Sequence, residues 1–175
     1  DERVSPRGRR AAVAWIMREL GLSAVDVRRE DDEGYDNRAR VQKTVFLLQE
    51  MGAPLGYEFP LYMRGPYSPG LADDYYKMTD EEVHVRAEKA EARMARYRGA
   101  LELLRAEDVA VLELAAVLRD LEVAARENPG LAAGSPEEAL RAMKPWATDE
   151  QVARARRLLD QLGIRRLALR QSSKP

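Results

Sequence analysis

The sequence predicts a mainly α, multi-helix single domain with a short β-strand or hairpin element around residues 57–64. Apolar residues recur at the three- and four-residue spacing of an amphipathic helix over most of the chain. Most of these segments begin with Ser, Thr or Asp and end at Gly or Asn, the residues that cap helices. One segment instead alternates with the two-residue period of a strand. With 175 residues and no long linker, the chain is expected to form one domain, residues 1–175.

Two helices are predicted before the strand. Ser5 followed by proline is typical of an N-cap with proline at the first helical position, and Gly21 stands where this helix should end. The acidic run EDDEGYDN, residues 30–37, is predicted to be a loop. From 37 to 51 the apolar positions again have helical spacing, which predicts a core helix.

The stretch RGPYSPG, residues 64–70, joins the strand to the next helix. Pro60 restricts the strand to a sheet edge or to a short length, because proline has no N–H for a sheet ladder. The Gly-Pro pair at 65–66 favours a sharp turn, and Ser68 followed by proline favours the start of a helix that extends to about residue 78. Residues 37–78 are therefore predicted to form a helix-strand-turn-helix motif.

The remaining chain is predicted to be helical. Its predicted N-caps are Thr79, Asp108, Ser135 and Thr148. The helix after Thr79 is expected to continue to about residue 105, and the apolar helix after Asp108 is expected to be central. Residues 164–175 are predicted to be a short strand or a flexible tail.

Composition narrows the functional classes. The chain has no cysteine, which excludes thiol nucleophiles, thiolate zinc sites and disulfides, and which fits a cytoplasmic protein. Its 29 basic and 30 acidic residues leave a formal net charge of −1, which argues against a protein that mainly binds polyanions. No apolar stretch approaches the ~20 residues of a membrane span, so no membrane association is expected.

Four segments resemble a known group of prokaryotic proteins. They read RVQKTVFLLQEMG, YEFPLYMRGPYSPGLADDY, LELAAVL and MKPWATDEQVARARRLL. In this order, over residues 37–162, they resemble the YwgA-like group and the related Panacea (SocA-type antitoxin) domain. Panacea domains are associated with toxin–antitoxin and phage-defence loci, where they bind a protein partner. The resemblance therefore implies a non-catalytic regulatory or protein–protein interaction module.

An aromatic cluster lies around the strand and the turn after it. Six of the eleven aromatic residues fall within residues 57–76. They can pack the strand on its neighbouring helices, or they can form a surface on which a partner docks. A proline-stiffened turn loses little entropy on binding, and this favours it as a docking site. The residues predicted to bind a protein partner are Tyr62, Arg64, Gly65, Pro66, Tyr67, Ser68 and Tyr76.

The alternative function is a winged-helix-like DNA-binding transcriptional regulator. The order helix, strand, turn, helix resembles that fold loosely. Arg38, Arg40 and Lys43 on the second core helix are the predicted contacts to nucleic acid. A chain of balanced charge usually carries such cations as a solvated, paired surface, and this is the other interpretation of these residues.

The sequence predicts no catalytic residue, no cofactor and no metal site. His84 is the only histidine and is expected at the surface. Asp73 and Asp74 are adjacent, so on a helix they point about 100° apart and cannot act on one substrate. An enzyme would need a deep pocket that joins Asp73, Arg64 and Tyr67.

Overall fold

The structure is a computed structural model that describes residues 4–62, 65–131 and 134–167. In these ranges the regular elements are α1 (Pro6–Glu19), α2 (Ala24–Arg28), α3 (Asp32–Glu50), β1 (Leu61–Tyr62), β2 (Gly65–Pro66), α4 (Pro69–Lys77), α5 (Asp80–Met94), α6 (Arg98–Ala106), α7 (Val109–Glu127), α8 (Pro136–Met143) and α9 (Asp149–Gln161). Short 3-10 turns occur at Ala95–Tyr97 and Pro129–Leu131. The predicted fold class, mainly α with a small β-hairpin, is confirmed.

Two long helices organise the core. In α1 the residues 11–17 are all buried, and this helix packs mainly against α5. In α7 the residues 114–118 are buried without interruption, and α7 contacts α3, α8, α9 and β2. A helix that is apolar on all sides belongs inside a protein, so the central position predicted for α7 is confirmed.

Most of the predicted helix starts follow from local capping; Asp108 precedes α7 as predicted, but its side chain makes no capping hydrogen bond. Ser5, Ser68 and Ser135 each accept a hydrogen bond from the backbone N–H three residues further on. Thr79 and Thr148 form full capping boxes with Glu82 and Gln151. These side chains satisfy N–H groups that have no partner inside the helix, which is why the signal could be read from the sequence.

The predicted acidic loop at 30–37 is wrong. Helix α3 begins at Asp32, with Asp31 as its N-cap, and the Asp31 carboxylate accepts from the Gly34 N–H at 2.9 Å. Acidic side chains at this position are stabilised by the positive end of the helix dipole. A Cβ at Gly34 would lie 2.0 Å from the carbonyl oxygen of Arg29, so only glycine fits where α2 turns into α3.

The predicted continuous helix from 79 to about 105 is also wrong. Helix α5 ends at Met94, the chain tightens through the 3-10 turn at 95–97, and α6 starts at Arg98. No proline stands at this break. The turn redirects the chain so that α6 contacts α1, and this is a tertiary effect with no local sequence signal.

The strand element is a minimal antiparallel hairpin. Leu61 pairs with Pro66 and Tyr62 pairs with Gly65. The N–H of Tyr67 then donates to the carbonyl oxygen of Pro60 at 3.2 Å. The strand is thus shorter than the predicted 57–64, because proline residues at both ends remove the donors that a longer ladder requires.

At the C-terminal end the chain has no regular structure over residues 164–167, and Ile164 is buried in the core. The rest of the predicted tail, 168–175, lies outside the described residues. Within the described part of the chain, no helix combines the length and apolar composition that a membrane crossing requires.

A pair of glycine substitutions tests the tight α2–α3 turn. Gly34→Ala should lower the free energy of unfolding by about 1–3 kcal/mol, because the new methyl group meets the backbone of Arg29. Gly99→Ala, in α6, meets no atom within 4 Å and should instead stabilise the protein by roughly 0.5–1 kcal/mol. Urea unfolding of both variants measures the difference. Equal effects would contradict the close packing at Gly34.

Candidate functional site

The candidate site is a cleft of about 1010 Å³ between the first half of α3 and the start of α7, with the β-hairpin and α4 beside it. Its lining residues are Tyr35, Asp36, Arg38, Ala39, Arg40, Gln42, Lys43, Tyr62, Gly65, Tyr67, Tyr75, Asp108, Val109, Ala110 and Glu113. The cleft therefore brings together the two sets of residues that the sequence assigned to different functions, the aromatic hairpin and the cations of α3.

Two glutamines of α3 hold the segment that contains the hairpin. The buried Gln42 amide donates to the Ser68 carbonyl at 2.9 Å and accepts from the Ser68 N–H at 2.8 Å. About two helical turns further along the same face, Gln49 makes the same pair of bonds to the N–H and carbonyl of Tyr57, both at 2.9 Å. Each amide thus pairs with the N–H and the carbonyl of one residue, as a neighbouring strand would. A primary amide can do this because it has a donor and an acceptor in the same plane.

Lys43 makes a third contact from α3 to the hairpin. Its Nζ donates to the carbonyl oxygen of Pro66 at 2.8 Å, and the residue is 4% exposed. Gly65, beside it, has a φ of +97°, and a Cβ there would lie 2.7 Å from a methyl group of Val117 and 3.5 Å from Nζ. Glycine is therefore required at position 65 for both backbone conformation and space.

Burial changes the acid–base properties of Lys43. Desolvation lowers the pKa of its ammonium to about 8, although the Glu113 carboxylate on α7 acts in the opposite direction. Lys144, which follows α8, lowers this pKa further by repulsion and lies 3.9 Å from Glu113. The ammonium therefore remains largely protonated at neutral pH, inside a desolvated wall of the cleft.

Arg38 and Arg40 bond to helix ends. Arg38 donates to the Val27 carbonyl at 2.9 Å, in the last turn of α2. Arg40 donates to the carbonyls of Leu104, at 2.6 Å, and Glu107, at 2.8 Å, where α6 ends. Carbonyl groups at a helix C-terminus have no helical partner, so these guanidinium groups stabilise both helix ends.

The tyrosines divide into a buried and an exposed layer. Tyr75 is fully buried and Tyr67 is partly buried against the core. Tyr62 and Tyr76 are 49% and 45% exposed. Tyr62 packs on Tyr67, with ring centroids 5.5 Å apart. Tyr76 packs on Tyr75, with ring centroids 5.0 Å apart. We call Tyr62, Tyr76 and the 42% exposed Tyr35 the tyrosine rim.

The predicted partner-binding residues thus occupy different environments. Tyr62 and Tyr76 are accessible, whereas Gly65, Pro66 and Ser68 are buried and shape the hairpin from within. Arg64 lies outside the described residues. Of the predicted nucleic-acid contacts, Arg38 and Arg40 line the cleft beside the buried Lys43.

Sequence reasoning missed Gln42 and the wall that α7 contributes. Gln42 stands next to Lys43 in an otherwise apolar run, and a buried amide there is a detectable signal for a backbone partner. Val109, Ala110 and Glu113 had no such signal, because their position depends on how α7 packs against α3.

The carboxylates that the sequence singled out have structural or surface positions. Asp74 is buried, accepts from the Tyr57 hydroxyl at 2.6 Å and lies 3.4 Å from Nε of Arg9. Burial raises the pKa of Tyr57, and the bond to Asp74 adds to that rise. Asp73 is exposed and does not line the cleft, and His84 is exposed as predicted.

No protein-family model, no curated protein and no solved structure matches this chain. The resemblance to the YwgA-like and Panacea groups accordingly stays a prediction from the four sequence segments.

The pH dependence of stability tests the environment of Lys43. Its folded pKa is about 8, below the ordinary value of 10.5, so between these pH values the unfolded chain binds more protons and stability rises with pH. The free energy of unfolding of the wild type, minus that of Lys43→Met, should increase by about 2 kcal/mol from about pH 7 to about pH 10. Urea titrations at both pH values measure this difference. Lys89 is an exposed lysine, so for a Lys89→Met control the difference in free energy of unfolding should not change with pH.

A second experiment tests the bonds from Gln42 to Ser68. Gln42→Ala leaves a buried N–H and a buried carbonyl without their partner and should cost about 2–4 kcal/mol of stability. Gln49→Ala is the matched control, because its bonds to Tyr57 are only partly buried and its loss should be smaller. Hydrogen exchange of the Ser68 amide should accelerate in the first variant only. Equal exchange in both variants would contradict the role of Gln42.

Proposed function

We propose that this protein is a non-catalytic regulatory or protein–protein interaction module of the Panacea/YwgA-like type, which docks a protein partner on the tyrosine rim. The association with toxin–antitoxin or phage-defence systems rests on the sequence resemblance alone. The cytoplasmic location expected from the composition is part of the same proposal.

One observation supports the docking role above all. Tyr62 and Tyr76 are nearly half exposed, yet each is braced by a second tyrosine behind it. Tyrosine is enriched among residues that dominate binding energy, and a side chain already held in place loses little entropy on binding. The Arg38 guanidinium lies 6.0 Å from the ring centre of Tyr76 and extends this surface with a cation.

The bonds from α3 make the support of the rim rigid. The hairpin is held by Lys43 at Pro66, and the start of α4 is held by Gln42 at Ser68. Both contacts are buried, so solvent does not compete for them. A partner would therefore meet a preformed surface.

The DNA-binding alternative has weaker support. Lys43 is buried, and the guanidinium groups of Arg38 and Arg40 are bonded to main-chain carbonyls. A phosphate backbone would also approach the exposed carboxylates of Asp36 and Asp108, which line the same cleft. Like charges at that position oppose nucleic-acid binding.

The partner can be identified by photo-crosslinking from position 62 in host cells and then studied as a purified complex. Tyr62→Ala and Tyr76→Ala should each weaken that complex about tenfold or more, while the melting temperature changes little because both side chains are exposed. Trp146→Ala is the matched control, since Trp146 is 48% exposed and does not line the cleft.

Two results would contradict the proposal. One is an affinity that is equal in the rim variants and in the Trp146→Ala control. The other is binding of duplex DNA that falls steeply with salt and is lost on neutralising Arg38 and Arg40, which would support the alternative function.

A further inference from the structure

The interior of the cleft has the dimensions and the walls of a small-molecule site. Its volume of about 1010 Å³ is at the upper end of the roughly 300–1,000 Å³ of ligand pockets. Tyr67 and Tyr75 line one part of it, and Val109 and Ala110 at the start of α7 line another. Apolar and aromatic walls with a few polar groups are typical of pockets that bury most of a ligand.

The three cations of this cleft differ from Arg119 and Arg156, two largely buried arginines elsewhere in the protein. Arg119 pairs with Glu50 at 3.2 Å, and Arg156 pairs with Glu137 at 3.1 Å. Within the described ranges, by contrast, Arg38, Arg40 and Lys43 form no ion pair with a carboxylate.

Their hydrogen bonds go to neutral groups instead. Arg38, Arg40 and Lys43 all donate to main-chain carbonyls. Asp36, Glu107 and Asp108 attract Arg40, but none of them forms an ion pair with it. The positive charge on this wall is therefore only partly compensated, and in a desolvated cleft it attracts a negative group more strongly than it would in water.

Lys43 is the best placed of the three cations to meet such a group. Its ammonium has three N–H donors, and Pro66 accepts from it at 2.8 Å. Gly65 also lines the cleft, and a Cβ at that position would stand 3.5 Å from Nζ. Lys43 itself lines the cleft, and its bond to Pro66 uses one of its three donors, so the ammonium can also donate to a group in the cleft.

We propose that this cleft binds a small organic acid, with its carboxylate at Lys43 and its apolar or aromatic body against Tyr67 and Tyr75. The charges favour a single carboxylate over a polyanion, because Asp36, Asp108 and Glu113 line the cleft together with the three cations. A phosphate-rich ligand would be repelled by these acids, whereas one carboxylate can be placed against the cationic wall.

This inference goes beyond docking on the tyrosine rim. A small acid would bind to the isolated protein, so the inference can fail while the docking function holds, and the reverse is equally true. Binding in the cleft would place the ligand against Tyr67, which supports Tyr62 of the rim.

The test uses three pairs of probes with the full chain. Phenylbutyrate, indolepropionate and naphthylacetate are each compared with the corresponding neutral amide, by calorimetry and by amide chemical shifts. At about pH 7 at least one acid should bind about tenfold or more tightly than its amide, because only the carboxylate adds Coulomb attraction to the ammonium in a desolvated cleft. The shift changes should lie at residues that line the cleft.

Variants and pH locate the carboxylate. Lys43→Met should reduce the affinity for the acid about tenfold or more and the affinity for the amide by less, because the amide loses a hydrogen bond but no ionic attraction, whereas Lys89→Met should change neither. With Glu113 and Lys144 facing the ammonium, the affinity for the acid should fall as the pH rises above about 8, where Lys43 loses its proton. If the Lys43 variant fails to fold, the comparison of acid and amide in the wild type still tests whether the cleft binds the carboxylate through its positive charge.

Four results would overturn the inference. They are equal binding of every acid and its amide, shift changes outside the cleft, displacement of the acid by sulfate at similar concentration, and displacement by duplex DNA. Displacement by sulfate would show that the apolar body contributes nothing. Displacement by DNA would assign the cations of α3 to nucleic acid.

Discussion

The structure depends on hydrogen bonds from one face of α3 to the backbone of residues 57–68. In the described part of this segment each strand of the hairpin has only two residues, so most of the described backbone groups lack a strand partner. Gln49 binds Tyr57, Gln42 binds Ser68, and Lys43 binds Pro66. Buried backbone groups must be paired, and a helix can pair them only through side chains. Polar residues in the middle of a core helix are therefore a requirement of this connection.

The same bonds give the cleft its character. By fixing the hairpin against α3, they place Gly65 beside Lys43 and bring Tyr62 and Tyr67 into the lining of the cleft. Lys43 is then a charge held in a desolvated wall, a costly position that the Pro66 carbonyl and Glu113 only partly offset. The structural role of Lys43 and the proposed binding role of the cleft thus have one physical origin.

The bonds of Arg38 and Arg40 explain why a cluster of cations in the sequence does not by itself indicate the kind of ligand. Arg38 and Arg40 are predicted contacts to nucleic acid, and both bond to the carbonyl ends of short helices. An arginine can satisfy several carbonyls at once because its donors diverge from a planar group. These bonds leave the positive charge in the cleft while fixing its position, which favours recognition of one discrete anion.

The sequence by itself determined the elements whose causes are local. The caps at Ser5, Ser68, Thr79 and Thr148 could be read because each bonds three residues further along the chain. The start of α3 was misread, because Gly34 looks like a loop residue until the close approach of Arg29 is seen. Only the tertiary structure decided that Lys43 is buried and that α7 completes the cleft. These features join residues far apart in the chain, and their energies depend on burial that no local pattern encodes.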